Sequence, residues 1–231
     1  MASSDERTRE PQYQFQISHD TEYGRTKLGL MTNASWREDP RRLLFLLSRY
    51  KFVAKILSGK KSVLEVGCGD AFGTRMVMQT VASIHAVDFD PVFVKDVNER
   101  MDPAWKFECH VHDMLQGQVN GVFDAAYSLD VLEHIQPDAE DKFITNLLKS
   151  LTPDAVLILG MPSLQSQAYA SHASKAGHVN CKDEPAFRQL MERYFRNVFM
   201  FSMNDEVVHT GYYPMAQYLL ALCVTPREIP K

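Results

Sequence analysis

The segment Val63–Gly73, Val-Leu-Glu-Val-Gly-Cys-Gly-Asp-Ala-Phe-Gly, constrains the fold more than any other part of the chain. Ser62–Val66 reads as a short buried strand and Gly73–Val81 as a helix, so a glycine-rich turn joins strand to helix. Glycines there let the backbone turn sharply and approach a ligand closely. Amides at the following helix N-terminus suit an anionic group such as an amino-acid carboxylate. Glu65 sits two residues before the first glycine, and Gly73 comes one residue later than the third glycine of a G-x-G-x-x-G dinucleotide fingerprint. Taken alone, the segment is equally compatible with a tight strand–helix turn that binds nothing.

The pattern continues on both sides. From Asp39 the chain reads as a helix: Pro40 suits the first helical position, and Leu43, Leu46, Leu47, Tyr50, Val53, Ile56 and Leu57 recur at spacings of three and four, up to Gly59. After the glycine loop, strands are expected at Ser83–Val87, Lys106–His110, Phe123–Ser128 and Ala155–Met161. Helices are expected at Pro91–Arg100 and Ala139–Leu151. Strands separated by helices pair in parallel through right-handed crossovers, with helices on both faces. Val198–Met203 and Met215–Val224 read as two strands with no helix between them, so they should pair antiparallel. Leu164–Asn180 reads as a loop or irregular helix, and Pro185–Tyr194 as a short helix. The expectation is a doubly wound, mostly parallel α/β sheet of seven strands that ends in an antiparallel hairpin.

Composition removes several classes. Hydrophobic residues make up 45% and charged residues 23% of 231, ordinary for a globular protein. A net charge of −4 gives no basic face for nucleic acid. The patch Arg37, Arg41, Arg42, Arg49 and Lys51 reads as a solvated helix face. Cys68, Cys109, Cys181 and Cys223 form no C-x-x-C pair and read as reduced thiols. No apolar run reaches membrane-span length, and the Ser-, Asp-, Glu- and Arg-rich N-terminus lacks a signal-peptide core, so a cytoplasmic location is expected. Residues 1 to about 12 read as polar and loose.

Three further constellations lie where the strands end. Asp88 closes the second strand, where a carboxylate can accept both hydroxyls of a ribose. Phe89 is placed to cover an adenine face, and Asp90 to cap the helix opened by Pro91. Asp113 and Met114 follow the third strand, where a carboxylate and a backbone amide can meet an adenine edge. Each has a plainer alternative, a strand-end cap or a polar turn. His110, His112 and Asp113 suggest a metal, but adjacent positions alternate faces on a strand and no further ligand is indicated, so no metal site is expected. The fourth strand runs through Leu129 into Asp130, Glu133 and His134, at the crevice side.

In this order, the motifs resemble the class I S-adenosylmethionine-dependent methyltransferases, in particular the small-molecule O- and N-methyltransferases of the ubiquinone-biosynthesis type. The resemblance covers roughly Asp39 to Met161. It implies a Rossmann-like methyltransferase fold over 39–231; ahead of it, Tyr13, Phe15, Tyr23 and Trp36 suggest that 1–38 is an N-terminal lid, or a segment simply docked on the core. It also implies that Glu65, Gly67 and Gly69 hold the methionine part of the cofactor, Asp88 the ribose with Phe89 alongside, Asp113 and Met114 the adenine, and that Leu129 makes a backbone contact. Asp39-Pro40-Arg41-Arg42-Leu43 is similar to a stretch that would place Arg42 at the cofactor, although its spacing to the glycine loop is longer here. The resemblance names no acceptor: after Gly160-Met161-Pro162-Ser163 the chain departs from any recognised substrate region.

The implied activity is transfer of a methyl group from S-adenosylmethionine to an oxygen or nitrogen of a small-molecule acceptor, leaving S-adenosylhomocysteine. A hydroxyl acceptor needs a base. His134, His178 and His172 are the candidates, although a Glu-His pair also serves as a structural helix start in the resembling family. His209, Tyr212 and Tyr213 are placed to line the same mouth, or to pack as a surface loop. Competing readings are a protein or RNA methyltransferase, an NAD-dependent oxidoreductase, and a non-catalytic cofactor-binding module. A homodimer is compatible with the sequence.

Overall fold

A computed structural model describes residues 6–228, so residues 1–5 of the stretch expected to be loose lie outside it. Its centre is one eight-stranded sheet in the order β3-β2-β1-β4-β5-β8-β6-β7. The strands are β1 (Val63–Val66), β2 (Ile84–Asp88), β3 (Glu108–Val111), β4 (Phe123–Leu129), β5 (Leu151–Pro162), β6 (Phe195–Asn204), β7 (Val207–His209) and β8 (Tyr218–Pro226). The first five pair in parallel; β8 inserts antiparallel between β5 and β6. The sheet has eight strands where seven were expected. The extra one, β7, pairs antiparallel with the end of β6, Ser202 opposite His209. Three residues are too few to display an alternation, so that stretch read as part of a connection.

The helices are α1 (Gln14–Tyr23), α2 (Leu30–Glu38), α3 (Arg41–Ile56), α4 (Thr74–Met78), α5 (Pro91–Arg100), α6 (Glu140–Lys149), α7 (His172–Gly177) and α8 (Glu184–Glu192). On one face of the sheet, Tyr50, Val53 and Ala54 of α3, Leu57 just after it, Val77 of α4, and Val94 and Val97 of α5 pack on Val63, Ala86 and Ala125. On the other, Phe143, Ile144, Leu147 and Leu148 of α6 and Phe187, Leu190 and Met191 of α8 pack on Leu64, Val87, Ala126 and Leu157. Burying each such large side chain contributes about 2 kcal/mol. α5 begins as its sequence dictates: Pro91 occupies the first turn and the Asp90 carboxylate accepts from the Val92 amide at 2.8 Å. No described helix is long and apolar enough to cross a membrane.

The strand order reverses between β1, which leads outward to β2 and β3, and β4, which leads the other way to β5. A crevice opens at the carboxyl ends of strands at such a point. Here those ends carry Gly67, Asp88 and Asp130, each directly after or at the end of its strand.

Candidate active site

The turn after β1 is built by two glycines in the left-handed region, Gly67 at φ 77° and Gly69 at φ 53°. A side chain at Gly67 would also collide with Val131, whose Cγ2 would lie 2.1 Å from a Cβ there. Beneath the turn lies Glu65, buried between two hydroxyls: Tyr50 donates to it at 2.8 Å and Thr74 at 2.6 Å. Burial pushes its carboxyl up to about 7, although those hydroxyls favour the charged form. Glu65 therefore ties α3 and α4 to β1 and fixes the loop from below.

Asp88 holds the loop from the side. One of its oxygens accepts from the Gly69 amide at 2.8 Å and the other from the Asp90 amide at 2.9 Å. A carboxylate offers about four acceptor sites, so this bracing leaves it able to receive two ribose hydroxyls. Phe89 beside it is largely exposed. Asp113 instead bonds locally, accepting from the Leu115 amide at 2.8 Å, while Met114 is buried and its carbonyl accepts from Asn146 at 2.8 Å. The polar-turn alternative for Asp113 thus describes its own bonding, with its second oxygen 3.3 Å from the Gln116 amide nitrogen. Arg42 lies on the exposed side of α3 and pairs with Glu38 at 3.1 Å.

The N-terminal segment closes over the same loop. Thr32, at the start of α2, donates to both oxygens of Asp70: its amide at 2.7 Å and its hydroxyl at 3.1 Å. Arg100 donates to the Asp70 carbonyl at 2.7 Å. Met31 lies against the second glycine, its sulfur 2.9 Å from where a Gly69 Cβ would be.

Across the crevice, β4 ends in a strained turn. Asp130 adopts φ 58° without being glycine, a conformation that side chains usually avoid. Its carboxylate pairs with Arg49 at 2.6 Å, and the Arg49 guanidinium lies 3.8 Å from the centre of the Tyr218 ring. Arg49 therefore points inward, not to the solvated face its sequence neighbours suggested. Two residues after Val131, which touches Gly67, stands Glu133, buried and with both carboxylate oxygens lacking a protein hydrogen-bond partner. Burial, then the nearby Asp130 charge, pushes its carboxyl well above the usual range.

The structure brings His134 and His178 together, with ring centres 5.1 Å apart. His134 Nδ1 is 2.9 Å from the Gly177 carbonyl and His178 Nδ1 is 2.8 Å from the Gln167 side-chain oxygen. Donor atoms of Glu133, His134 and His178 lie within 4.8 Å of one another, close enough to surround a cation. Burial and the neighbouring His134 hold His178 below the ordinary imidazole value, so it is neutral at neutral pH. His172 begins α7 on the exposed surface. His209 turns to Asn204, with 2.8 Å between Nε2 and the side-chain oxygen. Arg49, Thr32 and Asp70 were not singled out as site residues from the sequence; the inward direction of a helical arginine has no local signal.

With this geometry in place, the comparisons with known proteins are specific. Residues 63–154 match a family model described as a methyltransferase domain. A mitochondrial ubiquinone biosynthesis O-methyltransferase of Schizosaccharomyces pombe is 26% identical over 167 residues, 67% of this chain; the chain spans 60% of that relative's length. The structure of the N-methyltransferase NodS from Bradyrhizobium japonicum WM9 in complex with S-adenosyl-l-homocysteine superposes with a TM-score of 0.62, covering 83% of this chain and 92% of that one at 20% identity. The methyltransferase domain of bacterial CtHen1-C gives 0.65 at 14% identity, covering 78% and 98%. The glycine turn and the first four strands lie inside the matched methyltransferase domain, and the fold as a whole is similar to that of the S-adenosylmethionine-dependent methyltransferases.

Proposed function

We propose that the protein transfers a methyl group from S-adenosylmethionine to a hydroxyl or amine of a small-molecule acceptor, and that a hydroxyl is the better fit. The observation that carries the cofactor assignment is the carboxylate of Asp88, held at the end of β2 by the Gly69 and Asp90 amides with acceptor capacity to spare. The left-handed glycines let the backbone lie close to a ligand's amino-acid end. The hydroxyl preference is supported by the His134, His178 and Glu133 cluster, two residues along the chain from the Val131 contact with Gly67. The relative from S. pombe is named an O-methyltransferase, in keeping with that preference, whereas NodS is named an N-methyltransferase.

Bound S-adenosylmethionine supplies an electrophilic methyl group on a sulfonium. Glu65, Gly67 and Gly69 position its amino-acid end, Asp88 orients the ribose with Phe89 beside it, Met114 and Asp113 lie at the adenine side, and the Leu129 backbone completes the rim. Holding the reacting groups in line is the larger part of the catalysis. Neutral His178 accepts the acceptor's proton, with His134 beside it and Glu133 retaining a proton of its own; a positioned base is worth about 10²–10⁴-fold. The N-terminal segment acts as a lid through the Thr32–Asp70 contacts, and excludes water.

Titration calorimetry with S-adenosylmethionine, S-adenosylhomocysteine and NAD tests the assignment. Binding of the first two and not the third is expected; binding of NAD alone overturns it. Incubating the protein and radiolabelled methyl donor with fractionated metabolite extracts then identifies the acceptor.

A further inference from the structure

On β2 and β3, three potential metal ligands share one face of the sheet. Parallel register places His85 directly opposite Glu108. His110 is two residues further along β3, so the period-two alternation of a strand returns it to the face that carries Glu108. This is the partner set missing when His110 is considered with its sequence neighbours: His112 turns away to the Gly117 carbonyl, 3.1 Å from its Nε2. One Glu108 oxygen lies 2.9 Å from His85 Nδ1 and 3.8 Å from His110 Nε2, and the three donor atoms all fall within 4.8 Å. Ligands about 2.0–2.1 Å from a tetrahedral zinc ion stand about 3.3 Å apart, so small side-chain rotations complete the arrangement. The Phe123 ring packs edge-on at 5.6 Å from the His85 ring and walls one side. His85 and Glu108 also line a cavity of about 470 Å³, shared with Lys106, Phe107 and Phe123. His85 is three residues upstream of Asp88, so strand alternation turns the cluster to the opposite face of the sheet from the Asp88 carboxylate and separates it from the candidate active site.

We propose that His85, Glu108 and His110 form a binding site for a divalent transition-metal ion, with zinc the best match to two imidazoles and one carboxylate and with its remaining position open to solvent. The ion takes the place of the direct His85–Glu108 contact and pins β3, at the edge of the sheet, to β2. The site stands independently of methyl transfer.

Zinc alone is the probe. Purified wild-type protein, E108Q and H110A are titrated with Zn²⁺ against a chromophoric chelator, and the wild-type complex is crystallised for anomalous diffraction at the zinc edge. Both substituted side chains are largely exposed, so the variants keep the fold. An anomalous peak between His85, Glu108 and His110 is expected, with affinity at least tenfold weaker in E108Q and in H110A and a zinc-induced rise in Tm confined to wild type. A peak only at Glu133, His134 and His178, no bound zinc, or an affinity unchanged by both substitutions would overturn the proposal.

Discussion

Replacing Glu65 by glutamine should change the pH dependence of stability by an amount the structure sets. Glu65 is fully buried beneath the glycine loop, and its carboxyl rises from 4.5 to about 7 on folding, chiefly by loss of solvation. Because the folded value is the higher one, the folded state binds the proton more tightly. The benefit of that proton is complete below pH 4.5 and is lost as pH rises through about 7. At 1.36 kcal/mol per unit, ionising the buried group costs about 3 kcal/mol by pH 8. Glutamine keeps the shape and accepts from one of the two hydroxyls, Tyr50 or Thr74, but cannot ionise; losing the other bond costs about 1 kcal/mol at every pH. Urea unfolding of both proteins at pH 5 and pH 8 measures the difference. Wild type should lose about 2.5 kcal/mol relative to E65Q between those pH values, because part of the proton's benefit is already lost by pH 5. Parallel pH profiles would refute the reasoning and would mean that the Tyr50 and Thr74 hydroxyls stabilise the carboxylate fully.

Asp88→Ala removes the proposed ribose acceptor along with the brace on Gly69, and should weaken S-adenosylhomocysteine binding on the order of 100-fold in calorimetry, from about 1–3 kcal/mol of lost charged hydrogen bonding; unchanged affinity would remove Asp88 from the ribose. His178→Ala should slow methylation of a hydroxyl acceptor by about 10²–10⁴-fold and leave cofactor affinity alone. In wild type the acid limb of the rate profile should lie below pH 6.5, since burial lowers His178 from that value, and the limb should vanish in the variant. Arg49→Met leaves Asp130 facing buried Glu133 without its cation. Breaking a buried pair costs about 3–5 kcal/mol, and partial exposure of Asp130 discounts this to about 2 kcal/mol by urea unfolding; a loss under about 0.5 kcal/mol would show the pair to be energetically neutral.

What the sequence could disclose depended on whether a signal was local. The strand–glycine–helix turn announces itself because Gly67 and Gly69 must take positive φ, which few other residues tolerate. Asp90 and Pro91 mark the start of α5 for the same kind of reason, a need met within three residues. Arg49 belongs to the opposite case. Its spacing on α3 matches its charged neighbours, and only packing against Tyr218 and Asp130, distant in sequence, turns it inward. Asp70 was legible as a loop residue but not as the acceptor for Thr32, a contact spanning 38 positions. His110 shows the limit most clearly: on its own strand Glu108 shares its face, but the second imidazole comes only when parallel register brings His85 beside Glu108.

One anchoring arrangement bears on how such a protein can diversify. The segment after β5 is fastened where it leaves the sheet, with the Ser163 amide donating to Gln217 at 3.0 Å and its hydroxyl to the Ala216 carbonyl at 2.5 Å. It is fastened again where it returns, where the Glu133 carbonyl receives the amides of Val179 at 2.8 Å and Asn180 at 3.0 Å. All four bonds involve backbone, so most of them are indifferent to which side chains lie between. The stretch from Leu164 to Gly177 is thus an exchangeable cassette, whose composition can be rewritten while its two attachment points, and the cradle beneath them, keep their positions.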